Sequence, residues 1–190
     1  MPRRTLALTL SLFTAIAIAP SLASAAEPDP SVPGVSTFFT GRELRVTARL
    51  EPGLPAEIQT RLSSGLATTT VWNIGLFVFR NVWFDGKKDE RLYEVTATYR
   101  PMSGDYILER RMDGRLLESR VLPNREEAAR ALSGVSALPC FLMGGHLTGK
   151  RLVVKVRCAY AAGVSLGVVP TTGVTPWKRS GVFEWTGGEP

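Results

Sequence analysis

Residues 71–85 read VWNIGLFVFRNVWFD, the densest run of aromatic and aliphatic residues outside the first 25 positions. In a β-strand, successive side chains point to opposite faces, so this run is apolar on both. One face would carry Trp72, Ile74, Leu76 and Val78, and the other Phe77, Phe79 and Trp83. We therefore predict a central strand that is covered on both faces. As one straight strand it would be about 50 Å long, so a bend is expected at Gly75 or at Arg80-Asn81.

The N-terminus has the pattern of a cleaved secretory signal peptide. Arg3-Arg4 precedes an apolar run over residues 5–19, and residues 23–25 (ASA) are the small residues that signal peptidase needs. The apolar run is shorter than the roughly 20 residues that a membrane-spanning helix needs. We predict cleavage after Ala25. The mature chain is then expected to be periplasmic or secreted, and not an integral membrane protein.

Composition and patterning divide the rest of the chain. The proline-rich residues 26–37 predict a disordered leader. We expect residues 38–186 to form a single β-rich domain and residues 187–190 to form a tail. Alternating apolar positions over 44–50 and 150–160 predict strands with one buried face. Short helices are predicted over 54–66 and 124–133, the second capped by Asn124. The predicted fold class is α+β and β-rich: a single antiparallel-sheet domain, sandwich- or half-barrel-like, with roughly seven strands and two short helices.

Asp113-Gly114 predicts a β-hairpin between residues 105–112 and 115–122. A two-residue loop would place Glu109 opposite Glu118, where the like charges repel each other. A three-residue loop would place Arg110 opposite Glu118 instead. We expect the second register, because it pairs opposite charges across the hairpin.

Charge and motifs argue against several functional classes. The precursor has 23 Lys and Arg against 17 Asp and Glu, and its net charge is +6. The basic residues are scattered, which favours a solvated surface over a nucleic-acid site, and weak attraction to anionic lipids or acidic polymers stays open. His146 is the single histidine, and the sequence has no metal-ligand cluster, nucleophile elbow or phosphate loop. We predict no catalytic, cofactor-binding or metal-binding residue and no enzymatic activity.

Cys140 and Cys158 are the two cysteines of the chain, and in an exported protein such a pair indicates a disulfide. Cys140 lies in an apolar run, and Cys158 lies on the inner face of the next predicted strand. Residues 148–150, midway between them, would form the turn of a hairpin, so that the two side chains face each other across neighbouring strands. The alternative is a pair of buried free thiols that pack as small apolar groups.

The aromatic residues allow three arrangements. The simplest is a plain hydrophobic core. A second is a cavity for an apolar ligand, lined by Trp72, Phe77, Phe79, Trp83, Tyr93, Tyr99 and Tyr106. The third is the exposed rim of a partner surface. The candidate residues for that surface are Arg80, Trp83, Asp85, Trp177 and Trp185.

Several short motifs follow one another in a familiar order: LSSGL at 62–66, RNVWFD at 80–85, YRPMSGDY at 99–106, NREEAARALS at 124–133 and PWKRSGVFEW at 176–185. This order, over most of residues 40–185, resembles the bacterial exported family catalogued as domain-of-unknown-function family 4390. The resemblance implies no catalytic residue. It implies a link to envelope signalling, because members are often encoded beside a sensor histidine kinase of a two-component system. The two cysteines depart from the family's pattern.

Together these observations favour a non-enzymatic binding or accessory domain for an envelope protein partner, linked by the resemblance to a two-component sensor. The alternative is a carrier of an apolar small molecule in a β-lined cavity. An envelope hydrolase is the third hypothesis. It would need a cleft with converging acids, or His146 beside a nucleophile.

Overall fold

The computed structural model of the chain describes residues 29–81, 85–165 and 169–187. The predicted signal peptide, Trp83 and residues 188–190 of the predicted tail lie outside these ranges. In the described ranges the chain forms eleven strands and two α-helices. In order they are β1 (Val35–Thr40), β2 (Glu43–Arg49), α1 (Ala56–Ser63), β3 (Thr68–Val78), β4 (Gly86–Arg100), β5 (Asp105–Met112), β6 (Arg115–Leu122), α2 (Arg125–Leu132), β7 (Gly134–Leu142), β8 (Arg151–Ser165), β9 (Val169–Val174), β10 (Lys178–Arg179) and β11 (Phe183–Glu184).

The strands form two antiparallel sheets. The small sheet has the order β1-β2-β7, and the large sheet has the order β10-β8-β3-β4-β5-β6, with β9 and β11 also paired to β8. Buried side chains from both sheets and both helices belong to one hydrophobic cluster. The α+β, β-rich class is therefore confirmed. The strands are more numerous than predicted, and in the described ranges they lie in two sheets that do not close into a barrel.

Strand β3 is the centre of the large sheet, as its apolar sequence predicts, because β8 and β4 flank it. Its inner face is fully buried, with Trp72, Ile74 and Leu76 exposed by 0%, 0% and 1%. The prediction that the strand is covered on both faces was wrong, because its outer face is only half-buried. The register shift of β3 against β4 lies between Leu76 and Phe77, close to Gly75 but not at it, and the strand ends at Val78, before the other predicted position, Arg80-Asn81.

The predicted hairpin is present, and Arg110 lies opposite Glu118 as expected. The loop, however, is the two residues Asp113-Gly114, both with positive φ, as a tight hairpin turn requires. A register shift between Arg110 and Arg111 accommodates the extra residue on β6. A bulge therefore produces the charge pairing that the sequence argument assigned to a longer loop.

Both predicted helices are present within their expected ranges. The side chain of Asn124 caps α2 by accepting a hydrogen bond from the Glu127 N–H at 2.9 Å. The other end of α2 is fixed to the large sheet, because the Thr70 hydroxyl donates to the Leu132 carbonyl at 2.8 Å. The sequence signals for helix start and stop were local, and the structure confirms them.

Cys140 and Cys158 are free, buried thiols, and the predicted disulfide is wrong. The error lies in strand pairing: β7 pairs with β2, and β8 pairs with β3, where Cys158 lies opposite Trp72. The chain between β7 and β8 contains a 3-10 turn at Gly145–Leu147 and crosses from the small sheet to the large one. The two cysteines therefore lie in different sheets.

Regular backbone pairing of the domain begins before residue 38. Ser31 forms an isolated bridge with Glu51, with both backbone hydrogen bonds at 2.9 Å. Val32 is buried, and β1 starts at Val35. The second half of the predicted leader thus packs on the small sheet.

Candidate functional site

The outer face of the large sheet carries an aromatic ring that lies flat against the strands. Gly75 has no side chain, and a Cβ there would lie 2.6 Å from Cε2 of Phe77, so the ring of Phe77 occupies this space. On the neighbouring strand β8, Lys155 places its Nζ 4.7 Å from the centre of that ring. An ammonium at this distance is attracted to the ring's negative face. Because Gly75 has no side chain, the Phe77 ring can lie over it and form a cation–π pair with Lys155.

The same arrangement recurs where β3 ends. The guanidinium of Arg151, at the start of β8, lies 4.7 Å from the centre of the Phe79 ring. Arg179 on β10 lies 5.6 Å from the centre of the same ring. Phe79 is held in place by its own N–H, which donates to the Arg151 carbonyl at 2.9 Å. One ring therefore holds two guanidinium groups.

A third pair lies further along β8. The Arg157 guanidinium is 4.6 Å from the centre of the Trp177 ring, and Trp177 is 42% exposed. Arg157 Nε is buried and has no hydrogen-bond partner among the described residues. These residues together form what we call the cation–aromatic face: Phe77, Phe79, Arg151, Lys155, Arg157, Trp177 and Arg179.

Asp85 provides a carboxylate beside this face. Its Oδ2 is 2.7 Å from Lys155 Nζ, and its Oδ1 accepts a hydrogen bond from the Arg80 N–H at 3.3 Å. The hydrogen bond from Lys155 holds the pKa of Asp85 below its ordinary value, although partial desolvation opposes it. Asp85 is thus ionised at neutral pH and fixes the position of Lys155.

The structure brings three of the five predicted surface residues to this face. Asp85 and Trp177 contact its cations, and Arg80 is exposed beside Asp85. Trp83 lies outside the described residues. Trp185 is only 5% exposed and packs on Phe39, with ring centres 4.9 Å apart, so it belongs to the core and not to a rim.

The sequence argument did not identify the cations of β8. Its alternation did contain the signal, because the even positions of residues 152–160 were assigned inward and the odd positions must then point outward. What was missing was the strand order. Only the pairing of β8 with β3 places Lys155 and Arg157 next to the aromatic residues of β3.

The residues that the other hypotheses require are dispersed. Trp72 is buried in the core, and Phe77 and Phe79 lie on the outer face, so these aromatics do not surround a common cavity. Tyr93 lines a cleft of about 480 Å³ between the sheets, together with arginines. His146 is exposed in the 3-10 turn. In the described ranges, three or more metal-ligating side chains do not cluster anywhere, and neither helix is long and apolar enough to cross a membrane.

The fold and this face define a β-rich α+β domain with an exposed basic and aromatic surface. The sequence model of the family described as domain of unknown function (DUF4390) matches residues 34–161, and the chain belongs to this family. The match includes Lys155 and Arg157 and ends before Trp177 and Arg179. No curated protein and no solved structure matches the chain.

Proposed function

We propose that the chain is a non-enzymatic binding domain of the bacterial envelope, and that its cation–aromatic face engages an acidic surface of a protein partner. The observation that carries the proposal is the set of cations held on the aromatic rings of the outer face: Phe77 and Phe79 are half-buried, and Trp177 is 42% exposed. Arginine and tryptophan are enriched at the energetic centres of protein interfaces. A sheet face that combines them is suited to a protein surface of complementary charge.

The charges of the face are largely uncompensated. Lys155 pairs with Asp85, but Arg151, Arg157 and Arg179 have no ion pair with a carboxylate among the described residues. The buried Nε of Arg157 is a donor without an acceptor there.

Stacking also prepares the face for binding. Long basic side chains lose rotational freedom when a complex forms, at about 0.5–1.5 kcal/mol for each immobilised side chain. Here Phe77, Phe79 and Trp177 already restrict the cations in the free protein. More of the interaction energy is then available as affinity.

The predicted signal peptide supports an envelope location, and the family resemblance supports a sensor kinase as the partner. The first partner to test is the extracytoplasmic domain of a sensor histidine kinase encoded beside the gene. Its affinity for the mature chain is measured by calorimetry or surface plasmon resonance at two salt concentrations. We expect saturable binding that weakens as the salt concentration rises.

The decisive comparison uses two charge-matched variants. Arg157→Glu/Arg179→Glu reverses two cations of the face and should weaken binding by about tenfold or more, equivalent to about 1.4 kcal/mol. Arg115→Glu/Arg125→Glu makes the same charge change at two exposed residues outside the face and should bind like the wild type. Equal weakening in both variants would mean that only net charge matters, and the face would have no specific role.

Two further outcomes would contradict the proposal. If a photoreactive residue at position 177 forms no protein adduct in the native envelope, the face has no protein partner. If the wild-type chain binds phosphatidylglycerol vesicles and Arg157→Glu/Arg179→Glu does not, the partner is a lipid surface. Thermal unfolding of each variant is measured beforehand, because an unfolded variant would lose binding for a different reason.

A further inference from the structure

A second basic site lies on the other side of the large sheet. The β5–β6 hairpin and the edge strand β7 are separated by a cleft of about 480 Å³, which β2 and α2 also line. Small-molecule sites in proteins commonly have volumes of about 300–1,000 Å³. The cleft has this size, and it is separated from the cation–aromatic face by the sheet itself.

Four arginines from four different elements line the cleft: Arg49 of β2, Arg110 of β5, Arg120 of β6 and Arg130 of α2. Some of their charge is compensated. Glu118 accepts from Arg110 at 2.7 Å and lies 3.3 Å from Nε of Arg120, Glu51 pairs with Arg49, and Glu127 also lines the cleft. Arg130 has no ion pair with a carboxylate among the described residues. The arginines therefore outnumber the carboxylates around them.

Two of these arginines have donors available for a ligand. Arg110 donates from Nη1 to Glu118, and its Nη2 has neither a hydrogen bond nor a buried position among the described residues. Arg130 projects from the exposed side of α2. A guanidinium presents a planar fork of donors that matches the oxygens of a carboxylate or a phosphate. An oxyanion entering the cleft would satisfy donors that the protein leaves unpaired.

The remaining lining is uncharged and mostly small: Ala48, Ala131, Gly134 and Val135, with Thr47, Ser136 and the ring of Tyr93. Small side chains leave the space open, and Gly134 lets β7 approach β2, since a Cβ there would lie 3.3 Å from the Ala48 carbonyl oxygen. Burial raises the pKa of Tyr93, so its hydroxyl remains protonated at neutral pH. This wall can contact an apolar or aromatic group but offers no charge to it.

We propose that this inter-sheet cleft binds a small organic anion, with its carboxylate or phosphate group on the arginines and its apolar body against Ala131, Val135 and Tyr93. This site is independent of the cation–aromatic face. The cleft suits an amphiphilic anion better than the purely apolar molecule of the carrier hypothesis, because an apolar ligand would cover the guanidinium of Arg130 without pairing it.

The test is titration of the mature chain with four probes, followed by NMR chemical shifts or calorimetry. Phenyl phosphate and benzoate carry both a charged head and a ring, inorganic phosphate has only the head, and benzyl alcohol has only the ring. We expect at least one ring-bearing anion to bind saturably and about tenfold or more tightly than inorganic phosphate and benzyl alcohol. Comparison of phenyl phosphate with benzoate identifies the head group, and dihexanoyl phosphatidic acid tests whether the natural source is a lipid.

Variants of α2 provide the matched control. Arg130→Gln should weaken the binding of the ring-bearing anion by about tenfold. Arg125→Gln removes the same charge from the same helix outside the cleft and should leave the binding unchanged. Ala131→Leu should fill the cleft and abolish binding while the chain remains folded in circular dichroism. None of these variants should change binding of the protein partner, so failure here is distinguishable from failure of the proposed function.

Three results would overturn the inference. One is the absence of saturable binding of both ring-bearing anions up to about 10 mM, which is weaker than a useful affinity. Another is equal binding of inorganic phosphate and phenyl phosphate, which would show an adventitious anion site. The third is equal weakening by Arg130→Gln and Arg125→Gln, which would show that the anions respond to net charge and not to the cleft.

Discussion

The two faces of strand β3 differ in what covers them. On the inner face, Trp72 and Ile74 are fully buried by the small sheet, the helices and the rest of the core. On the outer face, Phe77 is covered by the Lys155 side chain of its own sheet. The inner face gains its stability from water-excluding packing. The outer face achieves partial burial and still presents positive charge to the solvent, which is what a binding surface needs.

Removal of the largest inner side chain should show the difference in stability between the two faces most strongly. Trp72→Ala deletes a fully buried ring and leaves a cavity, so it should lower the free energy of unfolding by about 3–5 kcal/mol. Trp177→Ala, its outer counterpart, should lower it by less than about 1 kcal/mol, because the ring is exposed and loses mainly the contact with Arg157. Urea denaturation of both variants tests the difference. Equal losses would mean that the outer face contributes as much to the stability of the fold as the inner face does.

Gly75→Ala should have the next largest effect, and it affects the outer face alone. Alanine is normally better than glycine inside a strand, but a Cβ here would lie 2.6 Å from the Phe77 ring. Displacement of the ring should lower the free energy of unfolding by about 1–3 kcal/mol. A double-mutant cycle with Phe77→Ala serves as the control, since the two changes should be non-additive by more than about 0.5 kcal/mol. If the two losses of stability were additive, Gly75 would not be what makes room for the Phe77 ring.

Local features of the fold could be predicted from the sequence. The alternation in β8, the Asn124 cap and the Asp113-Gly114 turn each depend on a few neighbouring residues, so their signals are contained in short segments. The inner face of β3 could be predicted for the same reason. Its apolar residues alternate, and only a covered strand can bury them.

Long-range pairing could not be predicted in this way. Two adjacent strands with a glycine between them usually form a hairpin, yet β7 pairs with β2 across the small sheet. That choice depends on how the buried faces fit together, and it separates Cys140 from Cys158. The cations of the candidate face were missed for the same reason. Arg179 and Phe79 are far apart in the sequence, and their contact follows only from the order of strands around β8.

A third prediction concerns the exclusion of water from the inner face of the large sheet. Cys158 lies there opposite Trp72, and burial raises the pKa of its thiol from the ordinary 9.0 to about 12. The unfolded chain ionises at the lower pH, so the thiol's contribution to stability is complete below pH 9 and declines as the pH rises towards 12. Between pH 8 and 10 we expect Cys158 to account for about 1 kcal/mol of lost stability.

Cys158→Val isolates this contribution, because valine is a buried group of similar size that does not ionise. The free energy of unfolding of the variant should fall less between pH 8 and 10 than that of the wild type. The other side chains are the same in both proteins, so their contributions cancel from the difference. If the two proteins lose the same stability, the thiol is already accessible to water, and the inner side is less dry than its burial indicates.

Asp85→Asn should have the smallest effect on stability, and it should strengthen binding to the partner. The change removes the ion pair with Lys155, which lies near the surface, and should cost less than about 1 kcal/mol. Because its pKa is depressed in the folded state, the wild-type carboxylate stabilises the protein at neutral pH and loses this contribution as the pH falls below its ordinary value of 3.8. Unfolding at pH 7 and pH 3 should therefore differ less in the variant.

Binding should improve in the same variant, because Lys155 would then have no competing carboxylate and the face would gain one unit of positive charge. Asp105→Asn is the matched control: it removes the same charge from the Arg100 ion pair, away from the cation–aromatic face. If both variants bind the acidic partner more tightly by the same factor, the partner responds to net charge. If only Asp85→Asn does, the outer face of β3 exchanges a small amount of stability for affinity, and the inner face does not.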